Sequence, residues 1–232
     1  MKQVLYGFGV AALLVLIGWQ WQKNSSTKVE NVTVTGPKPA EKVAYVTFDD
    51  GPSEITPGIL DTLKKYDAKA TFFLIGEEIT EEREEIVKRE IEEGHSVGVH
   101  TYCHKKEEMY CNKEYFWNDF EKCKTRIEEV IGKPVSLHRF PWGSNNGYVC
   151  PLVDDLMEEL QKKKITSFDW NVSGEDSVAV GVPMASIYQN VKKDLDKYDN
   201  PIILLHDSNT MKNTAAVLPE ILEMIKEKRV SV

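Results

Sequence analysis

Val43-Ala44-Tyr45-Val46-Thr47-Phe48-Asp49-Asp50-Gly51-Pro52 decides the fold. An apolar, β-branched run ends in two consecutive aspartates, and Gly-Pro then stops it. The reading is a strand over 43–48 that delivers two carboxylates at its carboxyl end. Working outward, further β-rich runs lie at 70–74, 96–99, 136–140, 165–170 and 202–205, with a short seventh at 230–232. Between them, 3.6-residue periodicity predicts helices near 55–65, 82–93, 114–131, 152–162, 187–197 and 214–228. In the third of these, Phe116, Phe120, Cys123, Ile127 and Ile131 share a face, and Gly132 followed by Pro134 ends it. Strand-helix alternation implies parallel strands with right-handed crossovers. Asp49, Asp50, His100, Arg139, Asp176 and His206 all fall at or just past a predicted strand end, the rim on which (β/α) barrels assemble active sites. The fold expected is therefore an α/β, distorted or incomplete (β/α) barrel of about seven strands.

The chain has 232 residues, 41% hydrophobic and 28% charged, which accommodates one domain over 42–232 with an amino-terminal appendage and no second catalytic domain. A formal charge of -8 with no Lys/Arg stripe argues against nucleic acid as a partner. A neutral polymer such as a polysaccharide is compatible with it, and the chain reads as a monomer. Residues 4–21 carry no charge and are flanked by Lys2 and Lys23. No Ala-x-Ala-like cleavage site follows, and Trp19 and Trp21 suit an interface, so 1–21 reads as a transmembrane anchor in preference to a cleaved signal peptide. A polar, Pro- and Gly-containing linker covers 22–41. Either reading of the appendage puts the domain outside the cytoplasm, with a single-pass membrane location expected. Cys103, Cys111, Cys123 and Cys150 allow three full disulfide pairings, among which the sequence does not choose.

Asp-Asp-Gly-Pro taken alone is an ordinary turn, and His100-Thr101-Tyr102-Cys103-His104 taken alone is a pair of helical neighbours. On adjacent strand ends they become one carboxylate and two imidazoles able to hold a divalent ion with open positions, plus a spare carboxylate to act as base. A metal-dependent hydrolytic centre is what this set implies. Zinc is the default for two His and one Asp, with Co2+, Ni2+ or Fe2+ able to use the same ligands.

Over residues 43–228 the chain resembles the polysaccharide deacetylases of the NodB-homology type, carbohydrate esterase family 4. The matching motifs occur in order: Thr47-Phe48-Asp49-Asp50-Gly51-Pro52, His100-Thr101-x-x-His104, Arg139-Phe140-Pro141-Trp142-Gly143, Trp170-Asn171-Val172-Ser173-Gly174-Glu175-Asp176, and Leu204-Leu205-His206-Asp207. The resemblance implies Asp50, His100 and His104 as metal ligands, Asp49 as base, Arg139 orienting Asp49, His206 as general acid and Asp176 holding it. It also implies Pro141, Trp142 and Leu204 at the substrate and oxyanion side. The expected activity is removal of N-acetyl groups from N-acetylglucosamine units, of peptidoglycan first. Chitooligosaccharides, poly-N-acetylglucosamine, an acetylated xylan and a non-catalytic glycan-binding role are the alternatives. Two departures bear on substrate and closure: Ser177 stands where many relatives carry Trp after the aspartate, and the segment after the last helix is short. His95 and His138 have no assigned role, and His95, just before the strand that delivers His100, is expected to be structural.

Overall fold

In the computed structural model, residues 42–228 and 232 are described. The apolar run 4–21, the linker 22–41 and most of the 230–232 segment lie outside the described residues. Among those described, no helix is long and apolar enough to cross a membrane.

Seven parallel strands form one sheet: β1 Tyr45–Gly51, β2 Ala70–Ile75, β3 Ser96–Thr101, β4 Leu137–His138, β5 Thr166–Ser167, β6 Val172–Ser173 and β7 Ile202–His206. Their order, β5-β4-β3-β2-β1-β7-β6, makes an open half-barrel with β2 at its centre. The incomplete barrel is as expected, and among the described residues the sheet also includes β6, within the Trp170–Asp176 motif, which periodicity does not predict. Two runs pair over less of their length than predicted. Leu137–His138 is all of 136–140 that ladders, and Thr166–Ser167 all of 165–170, because both chains then turn inward: Arg139 N bonds Val99 O (3.0 Å) and Phe168 N bonds His138 O (3.1 Å) as isolated links.

The helices are α1 Thr56–Lys65, α2 Glu84–Glu92, α3 Lys106–Met109, α4 Lys113–Ile131, α5 Val153–Lys162, α6 Met184–Leu195 and α7 Lys212–Glu227. Only the one-turn α3 was not expected. α4 shows why the boundaries follow from sequence: Asn112 caps it by accepting from Tyr115 N (3.1 Å), and Gly132 ends it at φ 68°.

Period-two alternation divides β1 between two environments. Val46 and Phe48 face the helices, and Phe48 stacks on Phe72 at 5.3 Å in a core with Ile59, Leu63, Leu218 and Ile221. Thr47 and Asp49 face the lumen, where Arg139 lies over the Phe73 ring at 4.3 Å. At the amino-terminal ends of the strands the lumen opens into a mostly apolar cavity of about 600 Å³. The chemistry gathers at the other end.

Candidate active site

Two irregularities in the ladders aim the acidic and imidazole groups. Between β1 and β2 the register passes from Asp49 opposite Phe73 directly to Gly51 opposite Leu74, so Asp50 is extruded. Between β2 and β3 it passes from Leu74 opposite Val99 to Ile75 opposite Thr101, so His100 is extruded. Bulges at sheet ends redirect side chains in this way. Asp50 takes φ 75° and His104 takes φ 53°, a left-handed conformation that non-glycine residues adopt only where the surroundings enforce it.

The result is a triad. Asp50, His100 and His104 each offer a ligand atom within 4.8 Å of the others, and both imidazole Nε2 atoms lie 3.5 Å from Asp50 Oδ1. His100 Nδ1 sits 2.9 Å from the Arg139 carbonyl, which can only accept, so the proton is on Nδ1 and the Nε2 lone pair faces Asp50. Burial, followed by His104 and Arg139, holds His100 well below the usual imidazole range, hence neutral. Asp50 Oδ1 is buried without a protein hydrogen bond. Lone pairs converging on a buried orphan oxygen repel unless a cation sits among them, so the donor set fits a divalent metal. Asp50 and His104 border a cleft of about 270 Å³ that is also lined by Ile75, Glu78, Ser208, Asn209 and Thr210.

The His100–His104 loop is organised by a residue that local sequence does not reveal. Asp119, on α4, accepts from Thr101 Oγ1 (2.7 Å), Tyr102 N (2.8 Å) and Cys103 N (3.2 Å). Its second oxygen also receives the Cys103 thiol at 3.3 Å. Burial, with that carboxylate, pushes the thiol up to about 12, and Cys103 stands outside the Asp50, His100 and His104 cluster. All four cysteines are unpaired, Cys111 and Cys150 on the surface.

Beside the triad, Asp49 and Arg139 form a buried ion pair, Nη1 to Oδ1 2.9 Å. Arg139 also donates to Thr47 Oγ1 (2.6 Å) and to the carbonyls of Phe168 and Asp169 (3.2 and 3.4 Å). Burial raises Asp49 to about 6 against the opposing pull of Arg139 and His206, leaving a carboxylate that is ionised at neutral pH yet basic enough to accept a proton. Across the site, His206 Nδ1 and N both bond Asp176, at 2.8 Å each, and Thr214 Oγ1 fixes the same carboxylate at 2.8 Å. Burial alone would lower His206, but the hydrogen bond and charge of Asp176, with Asp50 and Asp49, carry it up to about 9. One group is thus poised as a base and the other as an acid.

Behind both pairs stands Asp207, fully buried, its N–H bonding Asp49 O (3.0 Å) and its Oδ2 accepting from Thr56 Oγ1 (2.7 Å). Ser53 Oγ donates to its carbonyl, and its carboxylate presses so closely on Gly51 that no Cβ fits there. Pro141 and Leu204 are buried, Leu204 two residues before His206 on the same strand, and Trp142 is exposed with φ 62°. Ser177 Oγ lies 3.4 Å from His206 Nε2, and beyond it Val178 and Val180 are 74% and 83% exposed. His95 accepts from Ala70 N (3.2 Å), and His138 bonds Ser167 Oγ (3.1 Å) among Phe116, Phe120 and Phe140. Burial lowers them to about 4 and about 3, so both are neutral core histidines, as expected for His95.

A half-barrel presenting a candidate metal-ligand triad together with a buried carboxylate-arginine pair and a histidine-aspartate pair fits the class of hydrolases that act on an acyl bond. The polysaccharide deacetylase family model matches residues 36–158, and the chain belongs to that family and is a deacetylase hydrolase. A peptidoglycan-N-acetylglucosamine deacetylase of Bacillus cereus is 39% identical over 191 residues, covering 81% of this chain and 67% of that protein. The crystal structure of a Bacillus cereus polysaccharide deacetylase superposes with TM-score 0.71 at 36% identity, covering 82% of this chain and 90% of that one. The catalytic domain of a peptidoglycan N-acetylglucosamine deacetylase from Eubacterium rectale gives TM-score 0.76 at 28% identity, covering 86% and 91%.

Proposed function

We propose that this chain hydrolyses the N-acetyl groups of N-acetylglucosamine residues in a polysaccharide, peptidoglycan first, using Asp50, His100 and His104 to hold a divalent metal, zinc by preference. The observation that supports the reading is the Asp50, His100 and His104 cluster together with the buried Asp49, near 6, and its register partner on the neighbouring strand, His206, near 9. Bound there, the metal would supply Lewis-acid polarisation of the amide carbonyl and a more acidic water. Asp49, oriented by Arg139, takes a proton from the attacking water. The Trp142 N–H, in the turn that follows β4, donates to the developing oxyanion. An amine departs only when protonated, and His206, kept charged by Asp176, donates that proton. Pro141 and Leu204 flank the acetyl group. The similarity to peptidoglycan deacetylases supports the wall polymer as substrate, and the uncharged 4–21 run supports a membrane-held domain working beside the wall.

The test is acetate release by the full chain from peptidoglycan and from N-acetylglucosamine oligomers, before and after chelation and with Zn2+ restored. Release should disappear with chelator, return with metal, and fall roughly a hundredfold or more in Asp49→Asn, which keeps all three ligands. Metal-loaded protein that frees no acetate from either glycan would refute the N-deacetylase reading.

A further inference from the structure

Beyond the catalytic groups, the rim carries aromatic rings that the chemistry above does not use. The loop after β4 presents two exposed rings in succession, Trp142 (43% exposed) and Tyr148 (48%). Trp142 meets the ligand His104 edge-on at 4.7 Å, and Tyr148 meets Trp142 at 5.7 Å, so the rings step outward from the triad. Exposed aromatic surface costs free energy in water and marks a place where something apolar settles.

This loop is also held more firmly than a surface connection requires. Asn146 Nδ2 donates to Pro141 O (3.0 Å) and Gly143 O (2.6 Å), while its Oδ1 accepts from Tyr148 N (2.8 Å) and Val149 N (3.1 Å). Ser144 N and Oγ are tied to Asp169 at 2.9 and 2.5 Å. From α3, Lys106 Nζ sits 4.5 Å above the Tyr148 ring and 3.3 Å from its hydroxyl, so one ring face is occupied by the protein and the phenol is fixed in orientation. A ring braced on one face and exposed on the other is preorganised for stacking.

We propose that Tyr148, braced by Lys106 and Asn146, forms a secondary subsite that stacks the pyranose ring of the sugar next to the one being deacetylated. The CH-lined face of a pyranose is apolar and matches an aromatic face, whereas its hydroxyls can reach the Lys106 ammonium and the phenol. The outward step from Trp142 to Tyr148 matches the advance of a glycan by one residue. This inference rests on the glycan reading above and adds that productive binding requires more than one sugar.

Two measurements separate the subsite from the reaction. In the metal-loaded full chain, the ratio of kcat/KM for an N-acetylglucosamine pentasaccharide over the N-acetylglucosamine monosaccharide should fall about tenfold in Tyr148→Ala, mainly through KM, and be kept in Tyr148→Phe. Lys106→Met should lower the ratio in the same direction by about fivefold or less. Equal losses on both lengths, or none, would overturn the subsite and leave the deacetylase reading intact. Pentasaccharide affinity is then measured by calorimetry in the Asp49→Asn background, without turnover. Roughly tenfold weaker binding on adding Tyr148→Ala supports the subsite even if no acetate is released, and unchanged binding refutes it.

Discussion

Asp176 bonds His206 through both ring and backbone, and its role can be read from a pH profile. Removing its charge in Asp176→Asn takes away the largest of the interactions that raise His206 to about 9, while the burial that lowers it remains. A general acid must be protonated, so the alkaline limb of kcat/KM should move down by at least about one pH unit, with activity lost at pH 8 and partly retained near pH 6. A loss uniform across pH would mean that Asp176 only supports the fold. At this scale the sequence was most legible. Asp49, Asp50, His100, His104, Arg139, Asp176 and His206 stand at strand ends in recognisable motifs, and all seven converge. Thr47, Asp119, Asp207 and Thr214 were not singled out, although each holds one of those groups. Their partners are remote in sequence, as with Thr47 and Arg139 at a separation of 92, and a lone Thr or Asp near a turn reads as an ordinary cap.

The strand ends matter more than the strands. Asp50 and His100 reach the same point because each is squeezed out of its ladder, and periodicity cannot announce a bulge: it predicts where a strand runs and not where its register slips. For the same reason β4 and β5 were drawn too long and the two-residue β6 was missed. Their β-type residues continue past the ladder into loops that carry Arg139 and the Trp142 turn. Gly51 follows the first bulge, and its lack of a Cβ lets the Asp207 carboxylate lie directly against the backbone. Gly51→Ala would force that buried carboxylate away from Thr56 and shift the β1 end. The expected outcome is about 1–3 kcal/mol of destabilisation in denaturant unfolding, together with weaker zinc binding by competition with a chromogenic chelator. Full retention of zinc affinity with only stability lost would show that Asp207 supports the fold without setting the aim of Asp50.

Across the whole domain, burying titratable groups for catalysis sets how stability depends on pH. Asp49 and Asp207 are raised by burial to about 6 and about 7, above their ordinary carboxylate values, so the folded state binds their protons more tightly and loses stability as pH rises from about 4 to 7. His95 and His138, lowered to about 4 and about 3, act in the opposite sense over the acid part of that range, since the unfolded chain takes up the protons that they refuse. Above the unfolded histidine value of about 6.5 this compensation ends. His206, raised to about 9, then contributes stability that is full below pH 6.5 and lost as pH climbs through 9. The span corresponds to about 3 kcal/mol, or a fall in Tm of roughly 5–10 °C for a domain of this size. Thermal unfolding of the chelated protein between pH 6.5 and 9 should therefore show a decline that His206→Asn largely removes. A flat profile in the unsubstituted protein would mean that Asp176 does not raise His206, and the acid assigned to the leaving amine would have to be sought elsewhere on the rim.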